Sequence, residues 1–513
     1  MGILVLGIDG LGLEGLKSLR RYGLLSSVKY LMERGIHATA KTCFPPQTIP
    51  AWISIFTGVN PGKHGVFSFF KSAKREIKIN CALDVKFPTV YELFSLMRIP
   101  VVMVNVPLSY PFPLLYGLGI SDWLSPSKRI FVNMKDLPRS VVRIAQDFEF
   151  IDPSMKKFLS DRKMCMELSR KIDKRRWVVE GLLECERFED FFVVVSMLDW
   201  VFHRYYRQIK SGRPPRHILK LLSSVDRYIS AIIRKAMKRG LKIFIISDHG
   251  FRVYNKIICI NDLLRKLKYA RGVSLRFISK RTKKVGLRSL RKTESRPLRY
   301  EFIGTLWSLA INFKLTYPYG SSVYNYILKS GYRLLVDREK SKAYALMNIP
   351  AFFIVVGSMC SSDMLTIDGL IHRLRSLRDW NGAKIFSVVE KREKLYSGPY
   401  IRLAPHIGIF GNVDAGYLTS AILTGRLVVH RTTNYHDFDG IFIAYGEDID
   451  HRDLGVVSIY DFVPTLMASR GLPIQKSCDG NSLIKQEVKF RDYLRKWKLA
   501  RKIRRSKLVA KGK

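Results

Sequence analysis

Residues 241–250 read LKIFIISDHG. An almost unbroken apolar run leads into Asp248 and His249, and Gly250 then offers a sharp change of direction. A run that is continuous rather than alternating fits a strand covered on both faces, as in a parallel sheet between two layers of helices. Packing does not explain an acid and an imidazole at the end of such a strand, because burying them uncompensated is costly. The same pattern recurs. ILVLGID ends at Asp9, FFVVVSMLD ends at Asp199, and PVVMVNVP is a further apolar run.

Helical segments separate these strands: EGLKSLRRYGLLSSVKYLMERG, PAWISIFTG and PTVYELFSLMR. The alternation predicts an α/β fold, a doubly wound and mostly parallel sheet with helices on both faces. Such sheets place ligands at the carboxyl ends of their strands, where Asp9, Asp199 and Asp248 fall.

Three strand-end motifs carry chemistry. GIDG holds Asp9, although a lone Asp before Gly is ordinarily a turn residue. In LDWVFH, a helix starting near Asp199 puts Asp199 and His203 four apart on one face, able to grip one ion. SDHG supplies Asp248 and His249. Carboxylate and imidazole donors suit zinc, manganese or iron(II) in an open catalytic site; a structural zinc more often recruits thiolates. The seven cysteines are scattered with no CxxC pair, which argues for reduced core thiols.

CFPPQTIPAWISIFTG (43–58) raises a separate question. Thr48 reads as an N-cap, Pro50 as a first-turn residue and Gly58 as a C′ stop.

The chain has 513 residues, with 88 Lys and Arg against 43 Asp and Glu, a formal net charge of +45. Ion-pair networks need both signs, so this excess points either to polyanions (phosphorylated substrates, nucleic acid or an anionic membrane surface) or to a surface that is basic throughout with no such partner. No run is long enough to span a bilayer and no signal peptide opens the chain, so the expectation is a cytoplasmic protein. Residues 1–252 and 400–487 read as the catalytic core and 253–399 as an inserted basic cap region with some core-like strands. Residues 488–513 read as a basic tail. Within the tail, Tyr493 and Trp497 lie four apart, a spacing that more often marks packing against a core than a surface for bases or lipid.

Taken in order, LGIDG, FPPQTIPAWISIFTGVNPGKHGVFSFF, VNVPLSYPFP, GISDWLSPS, SMLDWVFHRYY, IISDHGF, YSGPYIRLAPHI, HDFDGIFIAYG and IYDFVPTLMASRGLP…CDGNSL resemble the blocks of one family. This is the type I phosphodiesterase/nucleotide pyrophosphatase family of the alkaline phosphatase superfamily. Residues 255–340 and the tail match it poorly. The resemblance implies two divalent metal ions, zinc first, with manganese and iron(II) as alternatives. Asp199, His203 and His436 would hold one. Asp9, Asp248 and His249 would hold the other, with the Thr48 hydroxyl completing the site. Thr48, nine residues before Thr57, would be the nucleophile of a phospho-threonine mechanism. The context of His436, TTNYHDFDG, departs from the family, and His430 lies nearby; His406 stands where the family usually has an acid.

The implied activity is hydrolysis of phosphodiester or pyrophosphate bonds in a nucleotide-like, phosphorylated small molecule. A phosphomonoesterase or phosphomutase on the same scaffold is the alternative. A non-catalytic protein binding RNA or a membrane surface through its basic cap and tail is the third reading. The sequence carries no signal for oligomeric state.

Overall fold

The computed structural model describes residues 2–73, 76–125, 129–271, 336, 340–345, 352–357, 364–421, 425–485 and 488–510. Most of the densely basic stretch 265–299 and residues 346–351 of the apolar run AYALMNIPAFFIVVG lie outside the described residues. The chain divides into two compact units. One comprises residues 1–252, 396–403 and 434–513; the other comprises 253–395 and 404–433.

The first unit is built on nine strands: β1 (Ile3–Ile8), β2 (Ile36–Lys41), β3 (Val101–Val104), β4 (Gly117–Ile120), β5 (Ile130–Val132), β6 (Asp190–Val195), β7 (Lys242–Ile246), β8 (Asp439–Tyr445) and β9 (Arg452–Ser458). Their order in the sheet is β9-β2-β8-β7-β1-β6-β3-β4-β5. β1 pairs parallel with both β6 and β7, whereas β8 runs antiparallel between β2 and β7, and β5 runs antiparallel to β4. The expected mostly parallel α/β sheet is what forms, with β8 and β5 as its two reversed strands.

Every residue of β1, β6 and β7 is buried, as continuous apolar runs require when helices cover both faces. The principal helices are α1 (Leu13–Arg20), α2 (Thr48–Thr57), α3 (Val90–Leu96), α4 (Arg162–Leu183), α5 (Met197–Lys210), α6 (Arg216–Lys238), α7 (Phe462–Ser469) and α8 (Leu494–Ala510). On one face Trp52 and Phe56 of α2, Phe94 of α3 and Phe462 of α7 form a single core with Phe192, Phe244 and Phe442 of the sheet. Phe56 is fully buried, and removing a ring of that kind from water contributes about 2–3 kcal/mol.

Three local expectations change. The stretch 14–35 is two helices, α1 and Ser26–Met32, because the chain turns at Gly23 (φ 75°) and Leu25 (φ 58°). Thr48 is the first residue of α2, and Gln47 takes the N-cap position with no side-chain cap hydrogen bond. Gly250 has no left-handed φ; a Cβ there would lie 2.3 Å from the Asp439 carbonyl oxygen, so close packing rather than a turn demands glycine. Gly58, by contrast, closes α2 at φ 68° as a C′ glycine does.

The second unit has its own core. A four-stranded sheet, in the order Ala343–Ala345, Phe353–Val356, Ile407–Gly411, Phe386–Lys391, is antiparallel throughout. Leu370 and Leu374 of the helix Met364–Ser376 bury against Ile354, Ile407 and Ile409. Among the described residues no helix is long and apolar enough to cross a membrane.

The basic tail is anchored. Tyr493 and Trp497 are buried, and the Trp497 indole N–H donates to Glu92 Oε2 at 3.0 Å. Arg501 Nε donates to Glu92 Oε1 at 2.9 Å. The two aromatics therefore hold α8 to α3, the packing role that their spacing favoured.

Candidate active site

Four strand ends and one helix start meet at the carboxyl edge of the large sheet. Asp9 follows β1, Asp248 and His249 follow β7, and Asp199 sits in the first turn of α5 just after β6. His436 precedes β8. Because β8 runs antiparallel, its beginning lies at the edge where the parallel strands end.

The side chains form two overlapping groups. Asp9, Asp248 and His249 offer ligand atoms that all lie within 4.8 Å of one another, and so do Asp199, His249 and His436. His249 Nε2 is 3.2 Å from Asp248 Oδ2 and 3.7 Å from Asp9 Oδ1. His203, four residues along α5, puts Nε2 at 3.3 Å from Asp199 Oδ1 and 3.0 Å from His436 Nε2. His249 thus reaches both groups, although the resemblance assigned it to the Asp9 side alone.

Backbone contacts fix the imidazoles. His436 Nδ1 donates to the Pro46 carbonyl at 2.9 Å, and His249 Nδ1 donates to the Gly250 carbonyl at 3.2 Å. A ring held through Nδ1–H presents the Nε2 lone pair, the form a metal ligand needs. Burial also pushes both imidazoles below their usual pKa. His436 then turns a lone pair toward His203 Nε2, an arrangement that calls for a proton or a shared cation between the two rings.

The carboxylates make the same demand. Burial holds Asp9 well above the usual carboxylate range, with the charges of Asp248 and Asp199 adding to it. Asp248 is raised too, chiefly by burial, against a 3.1 Å hydrogen bond from the Gly10 amide. Burial works the same way on Asp199, but His203 and His436 outweigh it and hold Asp199 well below the ordinary range. Asp9 Oδ1, Asp248 Oδ2 and His249 Nε2 are buried and have no hydrogen-bond partner among the described residues. Three converging donor atoms left unsatisfied are costly as they stand and fit a divalent cation, whose charge would offset both carboxylates. The all-oxygen-and-nitrogen donor set suits zinc, manganese or iron(II).

Thr48 is buried, 4 % exposed, at the start of α2. Two contacts tie that helix start to the cluster. Pro46, two residues before Thr48, accepts the His436 hydrogen bond. Trp52, on the same face one turn along, packs so close to β1 that a Cβ on Gly7 would lie 2.5 Å from its ring. The Trp52 indole N–H faces Asp9 and favours its ionised form, although neither Nε1 nor Asp9 Oδ1 makes a hydrogen bond of normal geometry.

Two other histidines lie elsewhere. His430 is exposed, and His406 Nδ1 accepts the Val356 amide at 3.1 Å within the second unit.

Sequence reasoning missed the supporting groups. Phe251 lays its ring edge-on to His203, His249 and His436, with centroids 5.0, 5.8 and 5.2 Å away. The apolar residue directly after SDHG was the available signal. The Pro46 carbonyl and the Trp52 indole left none beyond their distance from Thr48.

A sequence profile of the family described as type I phosphodiesterase / nucleotide pyrophosphatase matches residues 3–295. A search of curated protein sequences finds no match. Among solved structures, phosphonoacetate hydrolase from Sinorhizobium meliloti 1021 in complex with phosphonoformate aligns over 86 % of this chain and 89 % of its own, at 15 % identity and a TM-score of 0.52. Human ectonucleotide pyrophosphatase / phosphodiesterase 5 aligns over 94 % and 97 %, at 12 % identity and a TM-score of 0.52. An inactive threonine-to-alanine variant of the murine form, in complex with AMP, aligns over 94 % and 97 % at 12 % identity and a TM-score of 0.50. At such identities the likeness is one of fold, and the fold is the alkaline phosphatase-like one. The profile spans more than half of the sequence, and the chain belongs to the type I phosphodiesterase/nucleotide pyrophosphatase family, a family of phosphoric ester hydrolases.

Proposed function

We propose that this protein is a metal-dependent phosphoesterase that cleaves phosphodiester or pyrophosphate bonds of nucleotide-like substrates through a phospho-threonine on Thr48. Asp9, Asp248 and His249 would hold one divalent ion and Asp199, His203 and His436 the other. Zinc is the first expectation and manganese or iron(II) the alternatives. The observation that carries this reading is the set of three buried, mutually close and unsatisfied donor atoms on Asp9, Asp248 and His249. The AMP carried by an inactivated threonine variant of a structural neighbour supports both the nucleotide class and the threonine role.

When bound, the two ions supply positive charge that lowers the pKa of a coordinated hydroxyl or water and offsets charge on the attacking and leaving oxygens. The chain does the rest. Thr48 Oγ1 forms a bond to phosphorus and gives up its proton to solvent. The P–O bond to the leaving group breaks, and the leaving oxygen keeps the electron pair. Water then attacks phosphorus in the opposite sense, the Oγ1–P bond breaks, and the threonine hydroxyl is restored. The start of α2 leaves the Thr48 and Ile49 amides without intrahelical acceptors, so they can face the non-bridging phosphate oxygens. Because Thr48 does not cap the helix, its hydroxyl is not committed to the backbone.

The test compares bis-p-nitrophenyl phosphate and the p-nitrophenyl ester of thymidine monophosphate with p-nitrophenyl phosphate, using metal-reconstituted protein. Preference for the diesters by roughly tenfold or more, about 1.4 kcal/mol in transition-state binding, is expected. Preference for the monoester would replace this reading with the phosphatase or phosphomutase alternative.

A further inference from the structure

The geometry points to the outer face of α8 as a docking surface for an anionic lipid membrane. The helix is amphipathic twice over. Trp497 and Arg501 hold its inner face to Glu92. Its outer face exposes Leu499 (61 %) and Ile503 (50 %), one turn apart, and Phe490 just upstream is 61 % exposed. Arg495, Lys498 and Lys502 are exposed on the turns that carry the two aliphatic side chains, and Lys496, also exposed, donates Nζ to the Leu96 carbonyl at 3.4 Å.

The charge on this face is of one sign. Residues 494–510 contain no Asp or Glu. The nearest described acid on the chain before it, Asp492, accepts the Leu494 amide at 2.9 Å and the Gln475 side-chain N–H at 3.2 Å, and Glu92 lies beneath the inner face. Exposed aliphatic side chains flanked by cations match a leaflet in which anionic headgroups lie above an acyl boundary. The packing of the aromatics favours lipid over nucleic acid. Single-stranded RNA binds such segments by stacking successive bases on aromatic rings, and with Tyr493 and Trp497 turned inward this segment exposes one ring, Phe490, beside two aliphatic side chains. This inference stands apart from the hydrolytic chemistry, since none of these side chains belongs to the metal cluster.

The experiment is co-sedimentation of the full chain with vesicles of phosphatidylcholine alone or containing about 30 % phosphatidylserine, at about 0.1 M salt and again at about 0.5 M. Binding to the anionic vesicles alone, weakening with salt, is expected. The double substitution Leu499→Gln with Ile503→Gln keeps every charge and should weaken binding roughly tenfold or more. Lys498→Glu with Lys502→Glu should weaken it at least as much. Both variants alter exposed side chains only, so thermal unfolding and hydrolysis of bis-p-nitrophenyl phosphate in free solution should not change. Vesicle binding that survives the glutamine pair would overturn the inference. Tighter binding to a single-stranded RNA oligomer than to the vesicles would overturn it too.

Discussion

Replacing Arg501 with alanine should release the C-terminal helix from the core, and the size of the effect follows from its partners. Glu92 is 1 % exposed on its side chain and Arg501 13 %, with 2.9 Å between them. The guanidinium also donates to the Val85 carbonyl at 2.7 Å and the Ala82 carbonyl at 2.8 Å. Truncation leaves a buried carboxylate without its cation, at about 3–5 kcal/mol for such pairs. Glu92 keeps its bonds from Thr89 and Trp497, so the lower end, about 3 kcal/mol, is the appropriate figure. That cost falls on the local opening of α8. Amide exchange of its backbone should therefore accelerate by roughly a hundredfold, while β1 and β7 change little. Hydrogen-exchange mass spectrometry reads this directly. The control is the same truncation in a Glu92→Gln background, where no charge is stranded and the added cost should fall to about 1 kcal/mol. Exchange in Arg501→Ala that stays close to wild type, or an equal acceleration in both backgrounds, would refute the reasoning.

Further outcomes follow from the site. Asp199→Ala and Asp9→Ala should each lower metal content toward one ion per chain, read by elemental analysis after dialysis. Unchanged content would contradict the ligand sets. Because folding raises the pKa of Asp9 and Asp248, the metal-free native state holds protons that the unfolded chain has released. The contribution of these two carboxyls to the stability of the metal-free protein should therefore be fully present below the ordinary carboxylate range and be lost as pH rises through their folded pKa values, whereas Asp199, whose pKa is lowered, contributes with the opposite sign and only in acid. Thermal unfolding of chelator-treated protein across that range tests the sign, and added metal should reverse the loss at the alkaline end. Gly7→Ala would drive a Cβ to within 2.5 Å of the Trp52 ring, so it should displace α2 and cost activity at least tenfold with metal content retained. Parallel loss of metal and activity would point to general unfolding instead.

The strand ends were the legible part of this molecule. β1, β6 and β7 announce themselves as continuous apolar runs, and Asp9, Asp199 and Asp248 stand where those runs stop, so both the α/β class and the meeting of these acids could be read. The Asp199–His203 pair followed from helical spacing alone. What the sequence concealed was long-range. Nothing near Pro46 says that its carbonyl orients an imidazole 390 residues away. Nothing near Glu92 says that Trp497 and Arg501 will satisfy it. The capping role read for Thr48 failed by one position: Gln47 takes the extended N-cap conformation, and the threonine enters the helix. Gly250 was correctly singled out but for the wrong reason, since what it needs is a close approach to Asp439 that only the folded sheet reveals.

The central claim is that acids and imidazoles from distant strand ends bind divalent metal beside one threonine hydroxyl. Turnover of a diester by Thr48→Ala, measured together with its metal content, tests it most directly. The account predicts a loss of more than about a thousandfold in kcat with metal bound as in the wild type. Substantial turnover by that variant, or hydrolysis by the wild type that survives complete chelation, would contradict it.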